Sequence, residues 1–448
     1  MTDQRELDRL LGAYFVEGTN ELADRVIDAA LDQIDHTQQR HTLRVPWRIP
    51  TMTTPFRLAA AAVIGVLAVG GALYLIQPGR NGVGGPGPSP STAPSAIPSA
   101  LASPVPTSAW HVTGSPAVDR GNSGIAIGLL DGRVLVVGGG IGPLKSAEVY
   151  DSRTGVWAAT GSMHDARSYP IGVRLANDKV LVAGGNNGTT DLDTAELYDP
   201  ATGVWTQTGP MTESRNQAFA SLLSTGKVLV AGRGADDGVH ETAELFDPAS
   251  GTWTKTGSMT TGRAGPLGAT LMHDGRLLVS GGFTDDPTSA EIYDPTTGKW
   301  TATAHMQHGR GDTQSSILLS NGMVIVSGGD DTRLLPTPNI MSDLFDPSTG
   351  TWTNTWNMTE TYTDLVVLNQ LADGKVLLVG GGGSRAGDVA SGQLYDAATD
   401  TWSAIEALTQ GRYVRSASLM PDGTVLVVTS STTDADGQPR AEIYDPTP

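Results

Sequence analysis

The sequence predicts an all-β fold built from seven repeated units of four strands. Glycine is abundant, with 56 residues among 448, and charged residues make up only 17% of the chain. This composition favours many short strands joined by tight turns. A hydrophobic strand that usually ends in two glycines recurs seven times, with starts 46 to 52 residues apart, and such a period indicates a repeat architecture. The seven strands are 134–139, 180–185, 228–233, 277–282, 324–329, 376–381 and 425–430.

Turn-forming pairs such as Asp131-Gly132 and Asn321-Gly322 precede these strands. Because Asp, Asn and Gly tolerate positive φ, the pairs predict two-residue type I′ hairpins. A second strand pattern, AEVYD at 147–151, recurs in related form seven times, and a tryptophan follows each of the first six copies. These tryptophans are Trp157, Trp205, Trp253, Trp300, Trp352 and Trp402.

The diglycine, the tyrosine and the tryptophan at this spacing closely resemble the Kelch repeat, throughout 109–446. The resemblance implies a seven-bladed Kelch-type β-propeller, similar to the central propeller of galactose oxidase, in which four-stranded blades pack face to face around an axis. The seventh copy lacks its tryptophan, and Trp110 stands alone before the first copy. We therefore expect the strand at Trp110 to complete the seventh blade and close a propeller domain spanning 109–448.

Three segments precede the repeats. Residues 1–57 are expected to form a small helical stub, and 58–76 hold nineteen uncharged residues, enough for one transmembrane helix. Four arginines flank this span on its N-terminal side, which places the stub in the cytoplasm and the propeller outside, as a single-pass, membrane-anchored bacterial form. A cleaved signal peptide is the alternative. Residues 77–108 are a proline-, serine- and glycine-rich extracytoplasmic linker.

The predicted topology gives the propeller two different faces. With the strands of a blade labelled A to D from the axis outward, antiparallel order places the A–B and C–D turns together on one face. We call it the short-turn face. The opposite loop face carries the B–C and D–A loops, which vary in length and are often acidic, as at Asp191 and Asp193. Variable loops on a rigid scaffold are the usual place for binding.

A recurring arginine at the D–A junction is the main candidate site. We expect these side chains near the mouth of the central channel, where guanidinium groups could bind an anionic ligand bidentately. The alternative is structural ion pairing between blades, with the acidic B–C loops as possible partners. The seven positions are Arg120, Arg167, Arg215, Arg263, Arg310, Tyr362 and Arg412.

Composition excludes several kinds of chemistry. The chain has no cysteine, so disulfides, thiolate metal sites and the tyrosine–cysteine crosslink of the galactose oxidase radical site are all excluded. The net charge of -18 opposes binding to nucleic acid. His305 and His308 lack an obvious third ligand, and the acidic loops lack the spacing of a calcium site. We therefore expect no metal, no cofactor and no catalytic residue that the sequence can identify.

Three functions fit these observations. The first is an extracytoplasmic, membrane-tethered binding module that recognises a protein or a glycan through the loop face. The second is an extracytoplasmic carbohydrate-active enzyme, which convergent carboxylates with perturbed pKa values at the channel mouth would favour. The third is a transmembrane sensor or anti-sigma-like regulator, in which residues 1–57 bind a cytoplasmic partner. The sequence makes the non-catalytic module the preferred hypothesis.

Overall fold

The computed structural model describes most of the repeat region. Its described residues are 109–121, 123–140, 142–233, 240–265, 268–311, 314–329, 342–355, 358, 365–380, 390–409, 413–430 and 439–446. The predicted stub, transmembrane span and linker lie outside these residues. Within the described part, no helix is long and apolar enough to cross a membrane.

The described chain forms seven antiparallel sheets of four strands each. These are the seven blades of a β-propeller, and the inner strands of successive blades contact one another in a closed ring. The predicted all-β, seven-bladed architecture is therefore confirmed. Blade 1 consists of β2 (Gly124–Gly128), β3 (Arg133–Gly138), β4 (Ala147–Asp151) and β5 (Val156–Ala159). Blade 2 consists of β6 (Ile171–Arg174), β7 (Val180–Ala183), β8 (Ala195–Asp199) and β9 (Val204–Gln207).

The next three blades repeat this order of strands. Blade 3 consists of β10 (Phe219–Leu222), β11 (Val228–Ala231), β12 (Ala243–Asp247) and β13 (Thr252–Lys255). Blade 4 consists of β14 (Gly268–Leu271), β15 (Leu277–Ser280), β16 (Ala290–Asp294) and β17 (Lys299–Ala302). Blade 5 consists of β18 (Gln314–Leu318), β19 (Val324–Gly328), β20 (Ser342–Asp346) and β21 (Thr351–Thr355).

Blade 6 follows the same order of strands, whereas blade 7 takes its fourth strand from the other end of the repeat region. Blade 7 takes its outer strand from the start of the described chain, because Trp110 pairs with Tyr444 in antiparallel register. This is the pairing that the lone tryptophan indicates. Blade 6 consists of β22 (Val366–Gln370), β23 (Val376–Gly380), β24 (Ser391–Asp396) and β25 (Thr401–Ala404). Blade 7 consists of β26 (Tyr413–Leu419), β27 (Val425–Ser430), β28 (Arg440–Tyr444) and β1 (Trp110–Val112).

Aromatic pairs and aliphatic strands fill the seams between blades. The strand-D tryptophan packs on the strand-C tyrosine or phenylalanine of its own blade, with ring centroids 4.9 to 5.2 Å apart. In blade 2, Tyr198 and Trp205 also pack against Leu135 and Val137 of blade 1. Each of the seven seams has such a buried cluster among the described residues. The blades therefore hold together mainly by apolar burial.

The two faces differ in the length of their connections. The A–B and C–D turns contain four or five residues, whereas the B–C loops contain eight to thirteen. The predicted type I′ turns are wrong in detail, because only the second residue of each pair has positive φ, as at Gly132 with φ 91. Gly132 N–H donates to the Leu129 carbonyl at 3.3 Å, which is a tight turn followed by one left-handed residue.

Candidate functional site

The recurring arginine is a buried structural group in the blades where it is described. In blade 2, the Arg167 side chain is fully buried. Its Nη1 donates to the carbonyl oxygens of Gly184 and Thr194, both at 2.8 Å. Its Nη2 donates to Glu196 Oε1 at 3.1 Å. One guanidinium group thus joins the end of strand B to the start of strand C.

Four further blades repeat this arrangement with closely similar geometry. Each arginine donates to the carbonyl of the glycine that ends or follows strand B. Each also pairs with a carboxylate on strand C of its own blade, and none of these arginines is more than 8% exposed. The pairs are Arg120–Glu148 at 3.1 Å, Arg215–Glu244 at 3.1 Å, Arg263–Glu291 at 3.2 Å and Arg310–Asp343 at 2.7 Å.

The carboxylate of each pair fixes the D–A loop that leads into the blade. In blade 2, Glu196 accepts the backbone N–H groups of His164 at 2.8 Å and Asp165 at 3.1 Å. In blade 3, Glu244 accepts the N–H group of Thr212 at 2.7 Å. Because a buried carboxylate needs several donors to offset its desolvation, the ion pair and the loop position depend on each other.

The backbone of the arginine connects neighbouring blades. The Arg167 carbonyl accepts the N–H group of Gly139 in blade 1 at 2.8 Å, and the Arg215 carbonyl accepts that of Gly185 at 2.7 Å. A Cβ at Gly138, where φ is 68, would lie 2.8 Å from the Arg167 carbonyl oxygen. The diglycine therefore allows the close approach of two blades, which explains why the repeat needs glycine there.

These positions refine the sequence interpretation of the arginine ring. Five of the predicted residues are buried inside their blades, and their Nη atoms donate to carbonyl and carboxylate oxygens of the same blade. The structural alternative predicted ion pairs between neighbouring blades. That prediction is wrong for these five arginines, because each carboxylate partner lies on strand C of the arginine's own blade. Tyr362 and Arg412 lie outside the described residues. Ligand binding by this ring stays a prediction.

The carboxylate partner was missed from the sequence, although a covariation within the chain reveals it. The second residue of the AEVYD-type strand is acidic in six copies and is Gln393 in the copy of blade 6. Blade 6 is also the copy that has Tyr362 in the arginine position. The acid is thus absent where the arginine is absent, as expected if each exists to neutralise the other.

Burial and hydrogen bonding act in opposite directions on the pKa values of the Glu196 and Asp343 carboxyl groups. Burial alone raises the pKa of Glu196, but the hydrogen bonds from His164, Asp165 and Arg167 outweigh it and leave the pKa below its ordinary value. Asp343 shows the same balance: burial raises its pKa, while Arg310 and His308 lower it further. Burial lowers the pKa of the Arg167 guanidinium, opposed by Glu196, and arginine remains charged at any relevant pH.

We expect acid to destabilise the propeller through these carboxylates. A group whose pKa is lowered on folding adds stability above its unfolded pKa, about 4.3 for glutamate. That stability is lost as the pH falls through the lower folded value. Urea unfolding measured between pH 7 and pH 3 should show this loss of stability. Below pH 4, the free energy of unfolding should fall less steeply with falling pH in the Glu196→Gln variant than in the unmodified protein. Equal slopes in the two proteins would contradict the assignment.

Two acidic residues of the loop face have local partners. Asp191 Oδ1 accepts Asn186 Nδ2 at 2.7 Å, and Asp286 accepts the Thr288 hydroxyl at 2.6 Å while lying 3.1 Å from His305 Nδ1. Among the described residues, no group of three or more His, Asp or Glu side chains could hold a metal ion. His308 is partly buried, and its Nδ1 lies 3.2 Å from Asp343 Oδ1.

Comparison with known proteins agrees with this fold. The Kelch motif family matches residues 122–164, 167–212 and 268–307. Together with the seven blades, this match supports a Kelch-repeat propeller. No curated protein sequence matches the chain.

One solved structure is similar to this chain over most of its length. It is described as a novel fungal alcohol oxidase with catalytic diversity among the AA5 family, in complex with copper. It is 18% identical, with a TM-score of 0.62, and the match covers 75% of this chain and 76% of that one. At this identity the likeness shows a shared fold and leaves function to the individual residues.

Proposed function

We propose that this protein is a binding module that recognises a protein or a glycan through the loop face of its propeller. In this proposal, residues 58–76 anchor the chain in the membrane and residues 77–108 act as a stalk that displays the propeller outside the cell. The Kelch motifs of the propeller favour an interaction module. The single observation that carries the proposal is the contrast between a uniform short-turn face and a varied loop face.

The loop face differs from blade to blade although its base is held rigidly. Arg233 replaces the second glycine of the repeat in blade 3, and its Nη1 donates to Gln217 Oε1 at 2.7 Å. Gln217 has a φ of 51, as does Tyr169 at the same position of blade 2, so this part of the backbone repeats between blades. Phe283 of blade 4 is 44% exposed and contacts Gly265. A cation, an amide and an exposed aromatic ring thus lie on one side of this face.

The direction of β1 supports binding at the loop face. Trp110 pairs with Tyr444 at the end of the blade where the other blades have their C–D turns. The chain therefore enters the propeller from the short-turn face. A stalk that ends there leaves the loop face open to a partner, as a displayed binding module requires.

Array binding with matched variants tests this proposal. The full chain is applied in detergent to a combined glycan and peptide array. The binding of each variant is then measured on those glycans and peptides that bind the unmodified chain. Arg233→Gly, which restores the repeat residue, and Phe283→Ala should weaken binding by about tenfold or more, as expected for central contacts. Leu130→Ala and Val204→Ala, exposed on the short-turn face, serve as controls and should bind normally. Loss of binding in the controls alone would overturn the proposal.

An oxidase is the second candidate, favoured by the copper-bound alcohol oxidase that shares the fold. The residues do not fit such a site, because the chain has no cysteine for a crosslinked tyrosine and the described residues hold no metal-binding group of three. Peroxide release from a panel of alcohols, measured after copper loading of the full chain, tests this candidate. We expect no release above that of free copper, and a saturable, protein-dependent rate would favour the oxidase.

A further inference from the structure

The outer strand of blade 1 is a free sheet edge made only of hydrophobic residues. Strand β5 reads Val-Trp-Ala-Ala, and it pairs with β4 and with no other described strand. Three of its four side chains are exposed, and Val156 is 57% exposed. The outer strands of the other six blades each contain a polar residue, and β13 and β17 each carry a lysine. Because charge protects a free strand edge from pairing with another chain, β5 lacks a protection that other blades have.

Trp157 in this strand is only partly buried, unlike the tryptophans of the other six outer strands. In the other seams, a methionine or leucine of the D–A loop is buried in the same cluster as the tryptophan, as Met163 is with Trp205. The loop before blade 1 has Pro116 at this position. Because a proline ring is shorter than a methionine side chain, it covers less of the indole. The Trp157 ring thus keeps apolar surface in contact with solvent, and tryptophan is enriched at protein–protein interfaces.

The backbone of β5 offers hydrogen-bonding groups to a further strand. The Thr160 N–H group donates to the Ala147 carbonyl at 3.1 Å, in register with the pairing of β4 and β5. Hydrogen-bonded and non-hydrogen-bonded pairs alternate along an antiparallel ladder. Ala158 therefore also bonds to β4, whereas Trp157 and Ala159 direct their N–H and C=O groups away from the blade. These two residues supply donors and acceptors at the edge of the sheet.

We propose that two copies of this chain associate through their β5 strands, which pair antiparallel about a two-fold axis at Ala158. In this register Trp157 lies opposite Ala159 of the partner subunit, and these two outward-facing residues exchange both backbone hydrogen bonds. The same exchange occurs again on the other side of the axis, as in any isologous interface. The Trp157 indole faces a methyl group, and Ala158 faces Ala158 of the partner subunit. No two large or charged side chains of β5 are therefore opposed.

The surface beside β5 favours the same partner. Val112 of β1 is 54% exposed, and the chain just after it contacts the start of β5, because a Cβ at Gly114 would lie 2.6 Å from the Gly155 carbonyl oxygen. Strands of four residues bury less than the roughly 1,000 Å² typical of a stable interface, so the association is weak. The membrane anchor proposed above would strengthen it by raising the local concentration. The association does not depend on binding at the loop face.

A single cysteine at the axis tests this pairing, because the chain has no cysteine of its own. Facing residues of a non-hydrogen-bonded pair have Cα atoms about 4.5 Å apart, a distance that suits a disulfide. The full chain carrying Ala158→Cys is oxidised with diamide in detergent at high protein concentration, and dimers are measured on non-reducing gels. Ala158→Cys should form dimers at least about tenfold faster than Val156→Cys, whose two copies would lie about 14 Å apart. Thr254→Cys, exposed at the same position of β13, is the control in another blade and should also react slowly.

Ala159→Pro, added to Ala158→Cys, removes the outward N–H group of Ala159 without taking a hydrogen bond from β4. Proline is tolerated on an edge strand in this orientation, so the urea midpoint should stay unchanged, while dimer formation should slow about tenfold or more through the lost bonds. Equal rates for the three cysteine variants, or undiminished dimer formation in the folded Ala159→Pro protein, would overturn the proposal. No dimer from Ala158→Cys would also overturn it, and would favour an extended segment of another protein as the strand that pairs with β5. The comparison of cysteine positions decides the matter even where the proline variant does not fold.

Discussion

Replacing Glu196 by glutamine is expected to lower the free energy of unfolding by about 3 to 5 kcal/mol, the range for breaking a buried ion pair. Glu196 is fully buried and accepts from Arg167 and from the backbone N–H groups of His164 and Asp165. A glutamine amide would direct hydrogens at some of these donors and leave the Arg167 charge with only the partly exposed Asp165 carboxylate, 3.3 Å away. Urea unfolding at pH 7, followed by tryptophan fluorescence, measures the effect.

Blade 6 provides the mirror-image control for this substitution. Gln393 occupies the equivalent strand-C position and is fully buried, in the copy of the repeat that lacks the arginine. Gln393→Glu should therefore destabilise the protein at pH 7, because it buries a carboxylate without its guanidinium partner. The pKa of that new carboxyl would be raised, so its cost should shrink as the pH falls. A neutral effect of both substitutions would contradict the proposed pairing.

Replacing Trp110 by alanine is expected to cost about 3 to 5 kcal/mol, as for other buried aromatic residues. Trp110 is 4% exposed, packs 5.2 Å from the Tyr444 ring and donates to the Glu406 carbonyl at 2.8 Å. It also lies in the strand that joins the two ends of the propeller, so the loss weakens ring closure. Urea unfolding measures this effect as well.

Trp157 is the matched control for Trp110, because it has the same position in blade 1. Its side chain is only partly buried, and its Nε1 donates to the Gly114 carbonyl at 2.7 Å. Trp157→Ala should therefore lower the free energy of unfolding clearly less than Trp110→Ala, since Trp157 buries less apolar surface than Trp110 does. An equal or larger cost for Trp157→Ala would show that ring closure at Trp110 contributes little.

Much of the fold can be predicted from the sequence because the same pattern of strands occurs seven times. The strand that ends in two glycines, the aromatic strand and the tryptophan give the order and number of strands in each blade. The missing tryptophan of the last copy pointed to β1 as the strand that completes blade 7. These inferences succeed because each depends on spacing along the chain, which a fixed period preserves.

Other features depend on distances that spacing does not give. The arginines were expected near the channel mouth, because their backbone lies where strand A begins. The long side chain instead reaches across strand B to the carboxylate of strand C, as in the Arg167–Glu196 pair. The turn type was wrong because Asp-Gly pairs suit more than one hairpin geometry.

The central claim is that the recurring arginines belong to the architecture of the blades. A double-mutant cycle on Arg167 and Glu196 tests it most directly, with free energies of unfolding measured for Arg167→Met, Glu196→Gln and the double variant. We predict a coupling energy of about 3 kcal/mol, at the upper end for groups in one buried network, with the double variant more stable than the two single losses would give by addition. A coupling energy near zero would contradict the claim and favour the interpretation of these arginines as a ligand-binding ring.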